Sequence, residues 1–211
     1  MRRIFTFVLL CALFAGSAGM LSLINLKSAR AASDTESQTI ILTVTSTITL
    51  TLATTTVNLG TLSPGTPLTA TTSLSVVTNN NGGWNLQVRR FDATSTLNLN
   101  GTSSPDVTFP DATGWTYATP NASTTPGANL SFRVLQTGTD AGLYDASWWG
   151  ANDGGSAMYA GFPTTNQQIS TTSSYVGTTQ NVAYGLRADA PGSQQSGTYT
   201  GDVIFTAITN P

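Results

Sequence analysis

An almost perfect alternation of aliphatic residues with threonine constrains the fold of this chain more than any other feature. Between positions 40 and 52, one set of alternate positions holds five threonines, and the other holds Ile40, Leu42, Val44, Ile48, Leu50 and Leu52. A period of two residues is typical of a β-strand that is buried on one face. The sequence therefore predicts a strand over residues 40–52. Because that is longer than usual, the strand either bends between two sheets or pairs elsewhere with part of its length.

Shorter segments with the same alternation follow along the chain, separated by turns rich in glycine, proline and asparagine. They predict strands at 69–78, from Trp84 onward, at 107–109, 130–134, 181–188 and 198–209. Many short alternating strands favour an all-β fold. We expect a single antiparallel β-sandwich or barrel-like domain over residues 32–211, with two long irregular insertions at 100–127 and 137–180.

Composition supports this fold and excludes several kinds of chemistry. Residues 32–211 contain 37 threonines, one glutamate and no lysine, so strong helix formers are scarce and β-branched residues abundant. The chain has no histidine and one cysteine, which excludes histidine-based catalysis, a Cys–His zinc site and an internal disulfide. With a net charge of −2 and a pI near 4.7, nucleic acid is not an expected partner.

The first 31 residues have the pattern of a secretory signal peptide. Arg2 and Arg3 precede an apolar run that contains Cys11, and the segment ends in the small-residue tripeptide Ala29-Arg30-Ala31. This pattern predicts cleavage after Ala31. The alternative is an uncleaved membrane anchor, because the uncharged run is long enough to span a bilayer. With cleavage, we expect no membrane span in residues 32–211.

Two segments resemble the signatures of a known family. Residues 79–86 read Asn-Asn-Asn-Gly-Gly-Trp-Asn-Leu, which is a turn followed by Gly-Trp-x-Leu at the start of a strand. Residues 190–211 contain a Pro-Gly turn, Gly-Thr-Tyr, a strand and a final proline. This ordered pair resembles the WxL family of bacterial cell-surface domains. Phe205 stands where that family has a second tryptophan, and Ala207 where it has the following leucine.

The resemblance implies export, an all-β domain and non-covalent attachment to the peptidoglycan of a bacterial cell wall. The motif residues are Trp84, Leu86, Tyr199, Phe205 and Ala207. Trp84 and Leu86 share one face of a predicted strand, as do Phe205 and Ala207, so we interpret them as core residues rather than as ligand contacts.

The second insertion holds the densest group of aromatic residues in the chain. Exposed aromatic rings in a loop stack on the apolar faces of sugars, while neighbouring amides such as Gln167 bind hydroxyls. The candidate glycan-binding residues are Tyr144, Trp148, Trp149, Tyr159 and Phe162. The alternative is that these rings cap one end of the sandwich beneath a long loop.

Three aspartates lie close together in the same insertion, near several glycines. Asp140, Asp145 and Asp153 are candidate calcium ligands, because calcium takes carboxylate and carbonyl oxygens from such loops. Their spacing matches no ordered ligand set, so our expectation is that the protein has no cofactor. The same residues are the candidates for a glycosidase acid–base pair. Sequence provides no sign of the tuned environment that catalysis needs, and we expect no enzymatic activity.

These observations predict an exported, non-catalytic domain at the surface or in the wall of a bacterium. Its expected partner is a cell-wall or envelope glycan, with other surface proteins or a second copy of itself as further candidates. The alternative function is a structural subunit of a surface fibre. In such a fibre, residues 40–52 complete the sheet of a neighbouring subunit by strand exchange.

Overall fold

The computed structural model describes residues 34–99 and 107–211. The chain divides into two units, residues 1–43 and residues 44–211. In the first unit, the described residues 34–43 are exposed and have no regular secondary structure. The predicted signal peptide, residues 1–31, lies outside the described residues.

Nine strands and one short helix make up the second unit as far as it is described. The strands are β1 (Ile48–Leu52), β2 (Leu68–Thr78), β3 (Trp84–Arg90), β4 (Asn98–Leu99), β5 (Leu130–Val134), β6 (Gln167–Thr172), β7 (Gln180–Ala188), β8 (Tyr199–Thr200) and β9 (Val203–Thr209). The helix α1 spans Ala146–Trp149. All described strand pairs are antiparallel, which confirms the all-β, sandwich-like fold that the alternation predicts.

The first sheet has the strand order β1-β2-β7-β5. Its centre is the long pairing of β2 with β7, from Leu68 opposite Ala188 to Val76 opposite Gln180. Leu74 and Val76 are buried, as the alternation in this segment predicts. In β5 all five residues are buried, the polar ones included. Bridges from Asp111 and Ala160 cover the outer edge of this strand, and the chain around Tyr144 and Trp149 covers the side chain of Arg133.

The second sheet has the order β6-β3-β9 and faces the first across a common core. Trp84, Leu86 and Val88 of β3 are almost fully buried between the sheets. Their alternation with partly exposed polar residues is the expected pattern for a strand with one face in the core. A separate two-stranded ladder joins β4 to β8.

The long first strand is shorter than the sequence predicts. Only Ile48–Leu52 forms a strand, whereas the residues before it have no regular structure and Ile40, Leu42 and Val44 are exposed. The reason is the length of the partner: β2 ends at Thr78, opposite Ile48, and the chain then turns. Alternation makes a segment fit to be a strand, but a strand also needs a neighbour for its backbone hydrogen bonds.

The insertions also differ from the prediction. Residues 137–180 contain β6 and α1, which the sequence does not signal, because β6 has a single large buried apolar residue, Ile169. Instead of a strand at 107–109, Thr108 forms an isolated bridge with Asn98. In the described ranges, no helix combines the length and apolar character that crossing a bilayer requires.

The last predicted strand is divided in two. β8 and β9 are separated by Gly201 and Asp202, and the backbone N–H of Phe91 donates to the carbonyl of Asp202 at 3.0 Å. Gly201 lies against the chain at Thr96, where a Cβ would come within 1.7 Å of the carbonyl oxygen. This close backbone contact interrupts the ladder, and β8 pairs with β4 while β9 pairs with β3.

Candidate functional site

The two motif segments lie on neighbouring strands. Leu86 of β3 is directly opposite Ala207 of β9, and Val88 is opposite Phe205. Trp84 is buried, and its indole N–H donates to the side-chain oxygen of Gln180 at 2.7 Å. Because this donor already has a buried partner, the geometry of Trp84 is that of a core residue.

Leu86 is also buried, whereas the other three motif residues are partly exposed. Phe205 and Ala207 pack against the core without being fully buried, and the Phe205 ring lies 5.0 Å from that of Tyr184. Tyr199 on β8 makes an edge contact with Phe109 at 5.6 Å, and its hydroxyl donates to the carbonyl of Gln195. All five motif residues thus take part in packing between or beside the sheets.

The glycines of the first motif are explained by close backbone contacts. Gly83 has a φ of +77°, and a Cβ on it would lie 2.3 Å from the carbonyl oxygen of Thr172. The side-chain amide of Asn80 donates to the carbonyls of Gly83 and Asn210. The turn before Trp84 therefore holds three separate parts of the chain together at one end of the sandwich.

The predicted glycan-binding aromatics occupy two different environments. Trp149 and Phe162 are buried, the first stacked on Trp115 at 4.5 Å and the second on Phe132 at 4.3 Å. Their faces are covered by other rings, so neither offers a surface to a sugar in this structure. The interpretation as an aromatic cap on the core describes these two residues.

Trp148 lies at the rim of the same aromatic group and is only partly buried. Its ring lies 5.5 Å from Trp115 and meets Tyr117 edge-on at 5.2 Å. Tyr117, which sequence analysis did not select, is 46% exposed. Trp148 and Tyr117 together form an accessible aromatic surface, which we call the aromatic rim.

Tyr144 and Tyr159 surround a fully buried arginine. One terminal nitrogen of Arg133, Nη2, donates to the hydroxyl of Tyr144 and to the carbonyl of Trp149, both at 2.9 Å. The guanidinium lies 5.7 Å from the centre of the Tyr159 ring. Nη2 also lies 3.0 Å from Oδ1 of Asp153. Arg133 thus fixes the loop that carries the aromatic residues to strand β5.

The three candidate metal ligands are not gathered at one point. Within residues 34–99 and 107–211, no three histidine, cysteine, aspartate or glutamate side chains come together in a group that could hold an ion. Asp140 accepts from the backbone N–H of Asn181 at 2.7 Å, and Asp145 caps α1 by accepting from Ser147. Asp153 accepts from the backbone N–H groups of Gln136 and Thr137 in the β5–α1 loop, and it also pairs with Arg133. Each carboxylate therefore has a separate structural role.

The ionisation of Asp153 is tuned by these contacts. Its partial burial opposes the charged form, but the backbone N–H groups of Thr137 and Gln136, each 2.8 Å away, and the charge of Arg133 outweigh that effect. The net result is a pKa below the ordinary value of 3.8. Asp153 is therefore ionised at neutral pH and compensates the buried charge of Arg133.

A cleft of about 450 Å³ is linked to the aromatic rim through two of its lining residues, Trp115, which contacts Trp148, and Gln167, which binds the backbone of Tyr117. This volume lies within the range of roughly 300–1,000 Å³ that small-molecule sites occupy. Its walls come from the end of β3, from residues 108–116 and from the segment that leads into β6. The lining is rich in hydroxyl and amide side chains, among them Thr94, Thr108, Thr116, Thr164, Thr165 and Gln167.

An ion pair supports one wall of this cleft. Nη1 of Arg90 lies 2.5 Å from Oδ2 of Asp111, and the backbone N–H of Thr96 donates to the same oxygen at 2.9 Å. Burial raises the pKa of the Asp111 carboxyl above its usual value, because the contacts with Thr96 and Arg90 offset the desolvation only in part. The pair neutralises its own charge, so the cleft suits an uncharged polar ligand.

Several hydrogen-bonding groups of the cleft remain open to a ligand. The hydroxyls of Thr108, Thr116 and Thr164 have no hydrogen-bond partner within the described parts of the chain. Gln167, which the sequence suggests as a hydroxyl-binding residue, lines the cleft and accepts from the backbone N–H of Tyr117 at 3.0 Å. The cleft threonines give no sequence signal, since threonine is the commonest residue along the whole chain.

Comparison with known proteins adds no assignment. No protein-family model matches the chain, and no curated protein matches it either. The resemblance of residues 79–86 and 190–211 to a cell-surface family therefore depends on those residues alone.

Proposed function

We propose that this chain is an exported, non-catalytic cell-surface domain that binds an uncharged glycan of the cell wall or envelope. The observation that carries the proposal is the hydroxyl-lined cleft, with its unpaired threonine hydroxyls and the adjoining aromatic rim. Sugars present many hydroxyls and one apolar ring face. A cleft of hydroxyl and amide groups beside Tyr117 and Trp148 complements both features.

The charge pattern favours the same class of ligand. Arg90, the cation that lines the cleft, is held by Asp111, so the site has no uncompensated charge for an anionic ligand. The resemblance to WxL domains and the predicted signal peptide add the location: the outside of a bacterial cell, attached non-covalently to its wall.

The test is a pelleting assay with residues 32–211 and purified peptidoglycan sacculi. This chain contains every described strand and core residue, so it includes the whole sandwich. We expect the protein to sediment with sacculi and to stay in solution without them. If it stays in solution in both cases, the proposed wall binding is wrong.

Two conservative substitutions locate the binding site. Replacing Thr116 and Thr164 together by valine keeps their shape and removes two unpaired hydroxyls of the cleft. Each lost hydrogen bond costs about 1 kcal/mol, so the double variant should bind sacculi at least about tenfold more weakly. The matched control is Thr71→Val, because Thr71 is exposed on β2 and does not line the cleft. Equal binding by both variants would exclude the cleft as the site.

A further inference from the structure

The described segment before β1 exposes more aliphatic surface than a soluble protein normally leaves uncovered. Ile40, Ile41 and Leu42 are 85–87% exposed, and Val44 is 74% exposed. Single exposed aliphatic residues need no explanation, but a continuous set of them marks an interaction site. Ile40, Leu42 and Val44 occupy alternate positions, so an extended chain presents all three on one side.

Residues 45–47 are bonded to the turn that follows β2. The backbone N–H of Thr47 donates to the side-chain oxygen of Asn79 at 2.7 Å, and the Asn79 amide donates to the carbonyl of Thr45 at 2.9 Å. The hydroxyl of Ser46 donates to Asn80. A hairpin that folded residues 40–44 back onto β1 would need its turn at 45–47 and would break these bonds. The segment is therefore suited to pair with another molecule.

β9 is an edge strand of its sheet: it pairs with β3 on one side, and the described chain forms no ladder on the other. β1, which pairs with β2, comes close to β9 without forming a ladder with it. No backbone hydrogen bond joins β1 to β9 within the described chain. Phe205 and Ala207 of β9 are only half-buried. A cleft of about 160 Å³ is lined in part by Leu52, Val203 and Phe205.

The two edges lack the features that usually block unwanted pairing. Natural sheets protect their edge strands with charged residues, proline or bulges. Ile48–Leu52 and Val203–Thr209 contain neither charge nor proline. Residues 38–47 are equally uncharged and rich in β-branched residues, so pairing would bury no charge and would suit the backbone of both partners.

We propose that residues 40–44 of one molecule add as a β-strand to the free edge of β9 in a second copy of this chain. Main-chain hydrogen bonds provide the pairing, and Ile40, Leu42 and Val44 cover the exposed side of Phe205 and Ala207. Since each copy has one such segment and one such edge, the contact is head-to-tail and lets the assembly grow. The donor is thus shorter than residues 40–52, because Ile48–Leu52 is used within its own sheet.

The first test is the size of the assembly as a function of concentration. Residues 32–211 should change from monomers to dimers and longer oligomers in sedimentation velocity experiments. Leu42→Asp should weaken this association at least about 100-fold, because burial of one leucine is worth roughly that factor and the aspartate adds a desolvation cost. The matched control is Thr43→Asp, which places the same charge on the opposite side of the strand. It should associate better than Leu42→Asp by at least about tenfold.

A cross-linking experiment tests which edge receives the strand. Residues 32–211 contain no cysteine, so introduced thiols react without background from native ones. A chain carrying Thr43→Cys should be cross-linked by a short bismaleimide to a chain carrying Ile208→Cys on β9, because both side chains lie on the sheet face opposite to Leu42 and Ala207. It should not be cross-linked to a chain carrying Thr71→Cys, which lies on β2 opposite Gly185 of β7.

The results separate this proposal from its competitors. A monomer at all concentrations would overturn it, and so would equal association of the Leu42→Asp and Thr43→Asp variants. Cross-linking to position 71 as readily as to position 208 would also overturn it. Because the assay contains no sacculi, its outcome is independent of glycan binding.

Discussion

Replacing Asp153 by asparagine is expected to lower the free energy of unfolding by about 2–3 kcal/mol at pH 7. The side chain of Arg133 is fully buried, and Asp153 is the acidic residue that pairs with it. Removing one partner of a buried ion pair costs about 3–5 kcal/mol, because the other charge is left uncompensated. We take a lower value because the Asp153 side chain is 26% exposed, which lets water screen the pair. Urea denaturation followed by circular dichroism measures the effect.

Asp145 provides the matched control in the same loop. Its carboxylate caps α1, and asparagine caps helices about as well as aspartate. Asp145→Asn should therefore change the free energy of unfolding by less than about 0.5 kcal/mol. If the two variants lose the same stability, the buried pair with Arg133 does not have the role that its geometry suggests.

The effect of Asp153→Asn should depend on pH in a defined direction. Because folding lowers the pKa of Asp153, its contribution is present above the unfolded value near 3.8 and is lost as the pH falls through the lower folded value. The difference between wild type and variant should thus be constant near neutral pH and shrink below about pH 3.8. Because burial raises the pKa of Asp111, this residue changes stability with pH in the opposite direction. Wild type and variant both contain Asp111, so its contribution cancels in the difference between their free energies of unfolding.

Replacing Gly83 by alanine is expected to cost about 3–4 kcal/mol of stability. A left-handed backbone conformation costs an alanine about 1–2 kcal/mol. The new Cβ would also meet the backbone of Thr172 at 2.3 Å, and overpacking of this kind adds about 1–3 kcal/mol. Because Gly83 directly precedes Trp84, the strain falls on the pairing of β3 with both of its neighbours.

Gly60→Ala separates the two contributions. Gly60 has a similar φ of +85°, but a Cβ there has no atom within 4 Å. Gly60→Ala should therefore lower the stability by only about 1–2 kcal/mol, which is the cost of the left-handed backbone conformation alone. Thermal or urea unfolding of both variants measures the difference. A loss as small in Gly83→Ala as in Gly60→Ala would mean that the sheet adjusts freely around Thr172.

The alternation of the sequence predicts the central strands well. β2, β3, β5 and β7 appear within about one residue of the predicted positions, because each carries a set of apolar residues that only one face of a sheet can bury. β6 carries only one large buried apolar residue and gives no such signal. The division between β8 and β9 follows from a backbone contact with Thr96, which alternation does not encode.

The candidate site is less accessible to sequence reasoning. The sequence indicates a dense group of aromatic residues, yet it does not distinguish Trp149, which is buried, from Trp148, which lies at the rim. Asp153 reads as a candidate metal ligand, although its partner is Arg133, 20 residues earlier in the chain. The cleft forms from segments near Arg90, Asp111 and Gln167, and none of these segments predicts it alone.

The sequence by itself determined the all-β class and the residues of the central strands that face the core, because side-chain direction in a strand alternates with every residue and is therefore local. Tertiary structure alone decided which strands became neighbours, which edges stayed open and which polar groups met. Those outcomes depend on contacts between distant residues, such as Trp84 with Gln180, 96 positions apart. The segment before β1 shows both levels: its pattern predicts a strand, but β2 ends at Thr78, so the segment has no neighbouring strand and no regular structure.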